Sequence, residues 1–384
     1  MAHPGATPPA GLGTLARRPG TVQTRAMSAW FDLSPLAGIA LGIGVFMAAA
    51  EARGQSVDAA FPGARRDASG RYLNTAGEIA EAGPSVTLPF FFRKMVGAAL
   101  GRSGGPAVVP NDGGFLRENA RHSEPTVTWI GHSTVLVQMD HATFLTDPIW
   151  SERASPLAFA GPARRLPPGV ALDALPPIDF VLVSHNHYDH MDLPTLRALA
   201  DRDPRTRFVV PLGNAPIVAG AGIGDGRVTE CDWGGEVEVA GLRVVCLPAQ
   251  HWSARGAFDR RMALWGSYAV IGPRRRFYFA GDTGYFDGFA RIGAALGPFD
   301  LAALPIGAYE PTAMMRPFHM DPEEALRAGL DLRAGRILAM HHGTFDLTDE
   351  PIDEPPRRFR AAAAAAGLDG DAVLLPPVGA TLGF

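Results

Sequence analysis

The stretch DFVLVSHNHYDH, residues 179–190, carries most of the information about the fold and the chemistry of this chain. Residues 180–183 are a continuous run of β-branched and other apolar residues, which predicts a buried strand. The strand leads into the pattern His-x-His-x-Asp-His, which gathers three imidazoles and one carboxylate in a short loop. Neutral imidazole and carboxylate are ligands that suit Zn²⁺, and also Fe or Mn. The pattern predicts metal ligands at His185, His187, Asp189 and His190, the alternative being a hydrogen-bonded histidine cluster without metal.

Three more polar residues follow predicted strands later in the chain. His251 ends RVVCLPAQH, Asp282 lies in the turn after FYFA, and His341 follows RILAM. One loop cannot complete two coordination shells, whereas strand ends that meet at one sheet edge can direct side chains into a common cleft. We therefore predict that His251, Asp282 and His341 join the ligands of the first loop.

The pattern of strands and helices around these residues indicates an α/β (α+β) fold. TVTWIGHSTVLVQMD followed by HATFLTDP predicts a β-hairpin at the start of a sheet. DPEEALRAGLDL predicts a helix that begins with a capping box, with Asp321 as N-cap, Pro322 at the first position and Glu324 closing the box. Two β-rich halves with helices outside them indicate a four-layer αββα sandwich.

The order HxHxDH, then His, then GDTG, then His resembles the metallo-β-lactamase superfamily. FLTDPIWSERASP (residues 144–156) and GPFDLAALPIGAYEP (residues 297–311) resemble, more narrowly, the family of N-acyl-phosphatidylethanolamine-hydrolysing phospholipases D. The resemblance covers about residues 126–345 and implies two Zn²⁺ per chain, with Mn²⁺ or Fe as alternatives. It implies the following ligands: His185, His187 and His251 on one zinc, Asp189, His190 and His341 on the other, and Asp282 bridging both.

The same resemblance implies a phosphodiesterase that releases phosphatidic acid and an N-acylethanolamine from a phospholipid, and a homodimer. The catalytic candidates are Asp189, Asp282 and His319, and His319 would also contact the substrate phosphate. Tyr188 and Tyr309 are candidates for lining the substrate cleft, with simple packing as an equal alternative. Two other functions stay open: a hydrolase of the same fold acting on a lactone, a β-lactam or another phosphodiester, and a non-enzymatic metal-binding module.

Three further residues are interpreted as neighbours of the ligands. We expect His132 to hydrogen-bond a ligand and Asp147 to orient a ligand histidine through its second ring nitrogen. His342 departs from the phospholipase pattern, in which tryptophan usually follows the last ligand. Adjacent residues of a strand point to opposite faces, so only one of the two histidines can reach the site, and we assign the ligand to His341.

The net charge and the cysteine content indicate which partners to expect and whether the chain forms a disulfide. The net charge is −4 with histidine neutral, and no basic arm is evident, which disfavours nucleic acid as a partner. A phospholipid or another small molecule is the expected substrate. The chain has two cysteines, Cys231 and Cys246. We expect two buried free thiols, with one disulfide as the alternative.

The N-terminal third of the chain differs from the remainder. In residues 1–60, arginines precede the apolar run LAGIALGIGVFMAAA (residues 36–50), and Ala50-Glu51-Ala52 offers a small-residue cleavage site. This is typical of a secretory signal, so we expect export to a bacterial periplasm or association with a membrane. The alternatives are an uncleaved helix at the membrane surface and an upstream start that is not used; without a signal the protein would be cytoplasmic.

Residues 61–120 are interpreted as an extension that packs on the catalytic domain, which we place at residues 121–384. The extension contains the apolar patch LPFFFRKMV, residues 88–96. This patch is expected to dock on the catalytic domain or to contact a membrane surface.

Overall fold

A computed structural model of the chain describes residues 60–100 and 104–384. The expected secretory signal in residues 1–60 therefore lies outside the described residues, apart from Ala60. Within the described ranges, no helix combines the length and the apolar character needed to cross a membrane.

The described residues form two sheets and eight helices. The strands are β1 (Thr126–Gly131), β2 (Thr134–Met139), β3 (Ala142–Thr146), β4 (Phe180–Leu182), β5 (Arg207–Pro211), β6 (Val228–Cys231), β7 (Glu236–Val239), β8 (Leu242–Leu247), β9 (Ser267–Ile271), β10 (Arg276–Phe279), β11 (Phe299–Pro305), β12 (Ala334–Met340), β13 (Val373–Leu374) and β14 (Thr381–Gly383). The helices are α1 (Pro84–Leu100), α2 (Gly114–His122), α3 (Leu193–Arg202), α4 (Ala215–Gly220), α5 (Gly288–Leu296), α6 (Thr312–Met315), α7 (Pro322–Asp331) and α8 (Glu354–Ala365).

Strand direction explains why the predicted ligands can meet. The first sheet has the order β14-β1-β2-β3-β4-β5-β6, and the second has the order β13-β12-β11-β10-β9-β8-β7. Strands β3 to β6 are parallel to one another, and so are β10 to β13. Strand β8 runs the same way as β10, because both pair antiparallel with β9. The loops that follow β4, β8, β10 and β12 hold the predicted ligands, and each leaves a carboxyl end of its sheet.

The main core lies between the sheets. Val137 and Phe144 of the first sheet belong to the same buried cluster as Val244, Tyr268 and Phe277 of the second. A second cluster joins the outer face of the first sheet to α2 and α3, while α7 contacts β11 and β12 on the second. The predicted α/β fold with two central sheets and outer helices is confirmed.

The start of the first sheet differs from the prediction. The expected hairpin is three strands, β1 to β3, because the chain also reverses within TVTWIGHSTVLVQMD. The chain reverses after Gly131, the last residue of β1, which has a φ of 131°, and His132 in the turn has a φ of 53°. An alternating sequence does not reveal such a turn, since only one of its residues is a glycine.

Two local predictions are confirmed. At the start of α7, Asp321 Oδ1 accepts a hydrogen bond from the Glu324 backbone N–H at 2.8 Å, and Glu324 Oε2 accepts one from the Asp321 N–H at 3.3 Å. Cys231 and Cys246 are both buried free thiols, so the disulfide alternative is wrong for this structure.

Residues 60–100 contact later parts of the described chain at several points. Phe61 and Tyr72 are buried in the main core cluster. Lys94 Nζ on α1 donates to Asp346 Oδ1 at 2.8 Å. Within residues 88–92 of the apolar patch, Phe90 is buried, whereas Phe91 is 60% exposed, and Leu88 and Phe92 are exposed to a similar extent.

Candidate metal centre

The loop between β4 and α3 forms a tight turn that presents its polar side chains together. The backbone N–H groups of His190 and Met191 both donate to the His187 carbonyl, at 3.1 and 2.8 Å. The chain therefore folds back within four residues of His187. All four predicted ligands of this loop take part in the clusters described below.

The first cluster consists of imidazole nitrogens alone. His187 Nδ1 lies 2.8 Å from His185 Nε2 and 3.3 Å from His251 Nε2. A ring nitrogen carries either a proton or a lone pair, so three nitrogens that converge on one point cannot all satisfy one another. A cation between them would accept all three lone pairs, which is the arrangement of a histidine metal site.

The second cluster combines imidazole with carboxylate. His190 Nε2 lies 3.3 Å from Asp189 Oδ2, and His341 Nε2 lies 3.7 Å from the same oxygen. Asp282 contacts both rings, because its Oδ2 is 3.1 Å from His190 Nε2 and its Oδ1 is 3.1 Å from His341 Nε2.

Asp282 also faces the first cluster. Its Oδ2 lies 3.9 Å from His185 Nε2 and 3.8 Å from His251 Nε2. This carboxylate therefore lies between the imidazole cluster and the mixed cluster, where the family resemblance implies a bridging ligand.

Several of the ligand histidines are oriented through their second ring nitrogen. His190 Nδ1 hydrogen-bonds Asp147 Oδ2 at 2.6 Å, His185 Nδ1 lies 2.9 Å from Ser184 Oγ, and His251 Nδ1 donates to the Phe318 carbonyl at 3.0 Å. Each contact leaves Nε2 facing the cluster, which is how protein metal sites fix the ring and its tautomer. Asp147 occupies the position expected from the sequence, whereas no local sequence pattern identifies Ser184 as a supporting residue.

Asn74 is a second supporting residue that the sequence did not reveal. Its Nδ2 donates to the His251 carbonyl and its Oδ1 accepts from the His251 N–H, both at 3.0 Å. This buried amide holds the backbone of a candidate ligand from a segment whose composition shows no strand or helix pattern. Only the three-dimensional pairing identifies it.

The two adjacent histidines after β12 point in different directions. His341 adopts φ 58°, and its ring faces the mixed cluster. The His342 ring instead stacks on Trp129, with centroids 4.8 Å apart. The assignment of His341 rather than His342 to the cluster agrees with this geometry. His132 Nε2 lies 3.0 Å from Asp189 Oδ2, in the hydrogen-bonding position expected for it.

Three candidates for substrate contact remain. His319 lies at the clusters, whereas the hydroxyls of Tyr188 and Tyr309 bond to other parts of the protein. His319 Nδ1 lies 3.9 Å from Asp282 Oδ2, and its ring lies beside that of His251. The hydroxyl of Tyr188 donates to the Arg255 carbonyl at 2.8 Å, and that of Tyr309 donates to Glu354 Oε1 at 2.9 Å. Both hydroxyls are thus held by protein acceptors, and the lining of a substrate cleft by the two tyrosines stays a prediction.

Glycine at position 281 allows the loop after β10 to lie close to the loop after β4. Gly281 has φ 59°, and a Cβ atom at this position would lie 2.5 Å from the Ser184 Cβ. Such a contact is far inside van der Waals distance, so any side chain would push the loop carrying Asp282 away from the loop carrying His185. The GDTG motif thus has a packing reason as well as a chemical one.

The electrostatics of the clusters follow from burial and from the two carboxylates. Burial lowers the pKa values of His185 and His251 well below the ordinary histidine value, which keeps both rings neutral. Burial would raise the pKa of Asp282, but the charges of His190 and His341 outweigh it and hold that pKa well below its ordinary value.

The pKa values of His190 and His341 shift upward, in the opposite direction to those of His185 and His251. Burial acts to lower their pKa values, but nearby carboxylates, Asp282 foremost, outweigh it. The pKa of His190 is raised well above its ordinary value, and that of His341 is raised to about 9. Without metal, both upward pKa shifts favour the protonated form of these rings, and carboxylates face each of them.

The residues present fit a metal site. His190 Nε2, His341 Nε2 and Asp282 Oδ1 are buried atoms without a hydrogen-bond partner of good geometry. Such orphaned atoms are rare in folded proteins unless an ion or water completes them. The donor set of imidazoles and carboxylates matches Zn²⁺, Mn²⁺ or Fe.

Comparison with known proteins shows the family to which the chain belongs. A family model described as a beta-lactamase superfamily domain matches residues 142–342. The chain belongs to the metallo-β-lactamase superfamily. This match spans the loops that follow β4, β8, β10 and β12, and ends on His342. Metal-dependent hydrolases occur among its relatives.

Three relatives show how far the similarity extends. An uncharacterized protein of Mycobacterium tuberculosis is 47% identical over 244 residues, which are 63% of this chain and 64% of that protein. The chain thus spans less than two thirds of that relative. The N-acyl-phosphatidylethanolamine-hydrolyzing phospholipase D 1 of Caenorhabditis elegans is 46% identical over 250 residues, covering 62% of this chain and 70% of the relative. A metallo hydrolase of the archaeon Ignicoccus hospitalis has a similar structure, with a TM-score of 0.50, 25% identity and coverage of 68% of this chain and 98% of its own.

Proposed function

We propose that the protein is a dinuclear zinc phosphodiesterase of the phospholipase D type. In this proposal it hydrolyses N-acyl-phosphatidylethanolamine to phosphatidic acid and an N-acylethanolamine. The observation that carries the proposal is the position of Asp282, which lies between an all-imidazole cluster and a mixed cluster. The similarity to the nematode phospholipase supports the choice of substrate.

In the proposed site, His185, His187 and His251 hold one metal ion. Asp189, His190 and His341 hold the other, and Asp282 binds both. A pair of divalent ions in such a site lowers the pKa of water and neutralises charge on a phosphoryl group. In the net reaction, water adds to phosphorus and the bond from phosphorus to the ethanolamine oxygen breaks.

Asp189 is the proposed acceptor of the proton lost by the attacking water. Its side chain is 14% exposed, whereas that of Asp282 is 2% exposed, so Asp189 is the carboxylate that solvent can reach. His132 Nε2, at 3.0 Å, holds Asp189 Oδ2 in place. A proton taken up by Asp189 can therefore return to solvent without crossing the cluster.

His319 is the proposed donor to the substrate phosphate. Burial lowers its pKa to about 4, so the ring is neutral near pH 7 and carries a single N–H. Its Nδ1 is buried, has no hydrogen-bond partner and faces Asp282. A neutral ring in this position can donate one hydrogen bond to a phosphoryl oxygen, but it is a poor general acid at neutral pH.

A lipid substrate also requires a route from a membrane, and we propose that α1 provides the contact. Leu88, Phe91 and Phe92 are each at least 60% exposed on this helix. Lys94, further along α1, is bonded to Asp346 and to the Thr348 carbonyl in the loop after β12. The exposed apolar residues therefore belong to a helix that is tied to the loop following His341.

The test combines metal content with hydrolysis of N-acyl-phosphatidylethanolamine by the wild type and by Asp282→Asn. We expect about two zinc ions per wild-type chain and release of an N-acylethanolamine. The variant keeps the size of the side chain but loses the charge, so we expect loss of metal and at least a 100-fold lower rate. Asp140→Asn is the matched control, because Asp140 is also a buried carboxylate but is paired with Arg274, away from the clusters.

The outcomes separate the parts of the proposal. Two metal ions without turnover of this lipid would keep the metal centre and move the substrate to a lactone, a β-lactam or another phosphodiester. A folded wild-type protein that binds no metal would refute the dinuclear centre itself.

A further inference from the structure

Arg255 lies in the loop after β8, but its side chain makes hydrogen bonds in the loop after β4. Its Nη1 atom donates to the Asn186 carbonyl at 3.0 Å and to the Met191 carbonyl at 2.9 Å. Both acceptor residues are buried. Between these two carbonyls the chain carries three candidate ligands, which are His187, Asp189 and His190. A single guanidinium group therefore holds both ends of the segment that carries them.

Tyr188 lies against the same guanidinium group. The Arg255 Cζ atom is 4.1 Å from the centre of the Tyr188 ring, and the Tyr188 hydroxyl donates to the Arg255 carbonyl at 2.8 Å. A planar guanidinium group can stack on a ring and donate hydrogen bonds in its own plane at the same time, which an ammonium group cannot do. The contacts between the two loops are thus reciprocal, because a side chain from each loop is bonded to the backbone of the other.

The backbone at Arg255 is fixed as well. Asp259 Oδ2 accepts a hydrogen bond from the Arg255 N–H at 3.0 Å, and Asp259 Oδ1 accepts one from the Gly256 N–H at 2.8 Å. Arg255 follows the candidate ligand His251 in the same loop, and His251 Nε2 lies 3.3 Å from His187 Nδ1 of the other loop. The Arg255 contacts therefore join the two loops that bring these imidazoles together.

We propose that Arg255 is a positioning residue that keeps the loops after β4 and β8 at the spacing at which their histidines bind metal. The inference deepens the proposed function and rests on its metal centre. Ser184 and Asp147 each contact the second nitrogen of one ligand ring, whereas Arg255 acts on the backbone of a whole loop. A residue that only stabilised the fold would act equally on the metal-free and the metal-bound protein, and its loss would leave the metal affinity unchanged.

The test measures the zinc affinity of the full chain by competition with a zinc-binding indicator, for the wild type, Arg255→Met and Arg255→Lys. Arg255→Met removes all the donors, and we expect it to weaken zinc binding by about 10- to 100-fold, as for other outer-shell partners. Arg255→Lys keeps the charge but cannot reach both carbonyls while stacking on Tyr188. We expect lysine to recover about threefold of this loss at most.

Arg227→Met is the matched control, because Arg227 has the same kind of contacts in another part of the molecule. It donates to the carbonyls of Thr206, Ala200 and Asp203, and its Cζ lies 5.6 Å from the centre of the Phe208 ring. These contacts lie at the amino end of β5, whereas the candidate ligands follow the carboxyl ends of the strands. Arg227→Met should lower the Tm of the metal-free protein and keep the zinc affinity of the wild type.

The rise in Tm caused by zinc separates positioning from general stabilisation. It should be smaller in Arg255→Met than in the wild type and unchanged in Arg227→Met. If Arg255→Met does not fold, Arg255→Lys, which retains the charge and an aliphatic stem, provides the same comparison. Zinc affinity equal to that of the wild type in a folded Arg255 variant would overturn the inference, and so would full recovery by lysine, since charge alone would then be enough.

Hydrolysis of N-acyl-phosphatidylethanolamine by the wild type is scored separately from these affinities. A wild type that binds zinc without turning over this lipid would refute the proposed substrate, and the affinities of the Arg255 variants would still decide the positioning role. A wild type that binds no zinc would overturn both the metal centre and the inference. Failure of the proposed function and failure of the positioning role therefore give different results.

Discussion

Asp147 illustrates how single residues outside the ligand set control the candidate centre. Its carboxylate accepts hydrogen bonds from the Ser184 backbone N–H and hydroxyl, and it binds His190 Nδ1, all at 2.6 Å. These contacts fix the first loop residue and one ligand ring at the same time. Asp147 therefore acts as a positioning residue for the mixed cluster.

Asp147→Asn should weaken metal binding at the mixed cluster by 10- to 100-fold, on the order seen for outer-shell partners of ligand histidines. The amide keeps the shape but no longer supplies the charge that orients His190. Competition with a zinc-binding indicator measures the affinity of each site. Asp140→Asn is the control for loss of a buried carboxylate, and equal weakening in both variants would argue against a positioning role for Asp147.

Among single residues, the candidate ligands were easier to predict from the sequence than the residues that hold them in place. The candidate ligands His251, Asp282 and His341 could be predicted to lie together because each follows an apolar strand in a turn. Asn74 was not, because its function depends on pairing with a residue 177 positions away. The hydroxyls of Tyr188 and Tyr309 are taken up by neighbours that no local pattern reveals.

Among the elements, those with a strong periodic pattern were predicted and the shortest were not. The capped helix α7 follows from its sequence, because the capping box is a local motif. Strands β13 and β14 have two and three residues, too few to show alternation. They exist because β12 and β1 supply hydrogen-bonding partners, which is a tertiary effect rather than a property of the segment.

Helix α1 is the element on which the proposed membrane contact depends. Replacing Leu88, Phe91 and Phe92 together by serine should reduce binding to phospholipid vesicles by at least tenfold, because each apolar side chain inserted into lipid contributes about 1.5–3 kcal/mol. The Tm should change little, since all three residues are exposed. Vesicle co-sedimentation measures binding, and hydrolysis of lipid in detergent micelles measures the centre separately.

A matched control for α1 uses apolar residues exposed on other helices. Phe115 on α2 and Leu330 on α7 are 56% and 50% exposed, and the double serine variant should bind vesicles like the wild type. If this control loses as much vesicle binding as the α1 variant, the contact with the membrane is not specific to α1.

For the molecule as a whole, folding, metal binding and protonation are linked. In the metal-free protein His341 has a pKa of about 9, and the pKa of His190 is raised well above its ordinary value. A ligand nitrogen must lose its proton before it can bind metal. At pH 7.5, filling the mixed cluster should therefore release about two protons per chain, one from each ring.

The sign of the resulting pH dependence is fixed by the direction of these shifts. A raised histidine pKa stabilises the metal-free fold below the unfolded value of about 6.5, and this contribution disappears as the pH rises through about 9. As the pH rises from about 6.5 to about 9, fewer protons compete with the metal for the histidine nitrogens, so the affinity of the mixed cluster for metal increases. The rise in Tm caused by buffered zinc should therefore grow between pH 6.5 and pH 8.5, as read by calorimetry at fixed free zinc. Proton release, measured with a pH indicator in weak buffer, gives the independent check: zinc binding without proton release at pH 7.5 would show that neither His190 nor His341 is a protonated ring in the metal-free protein.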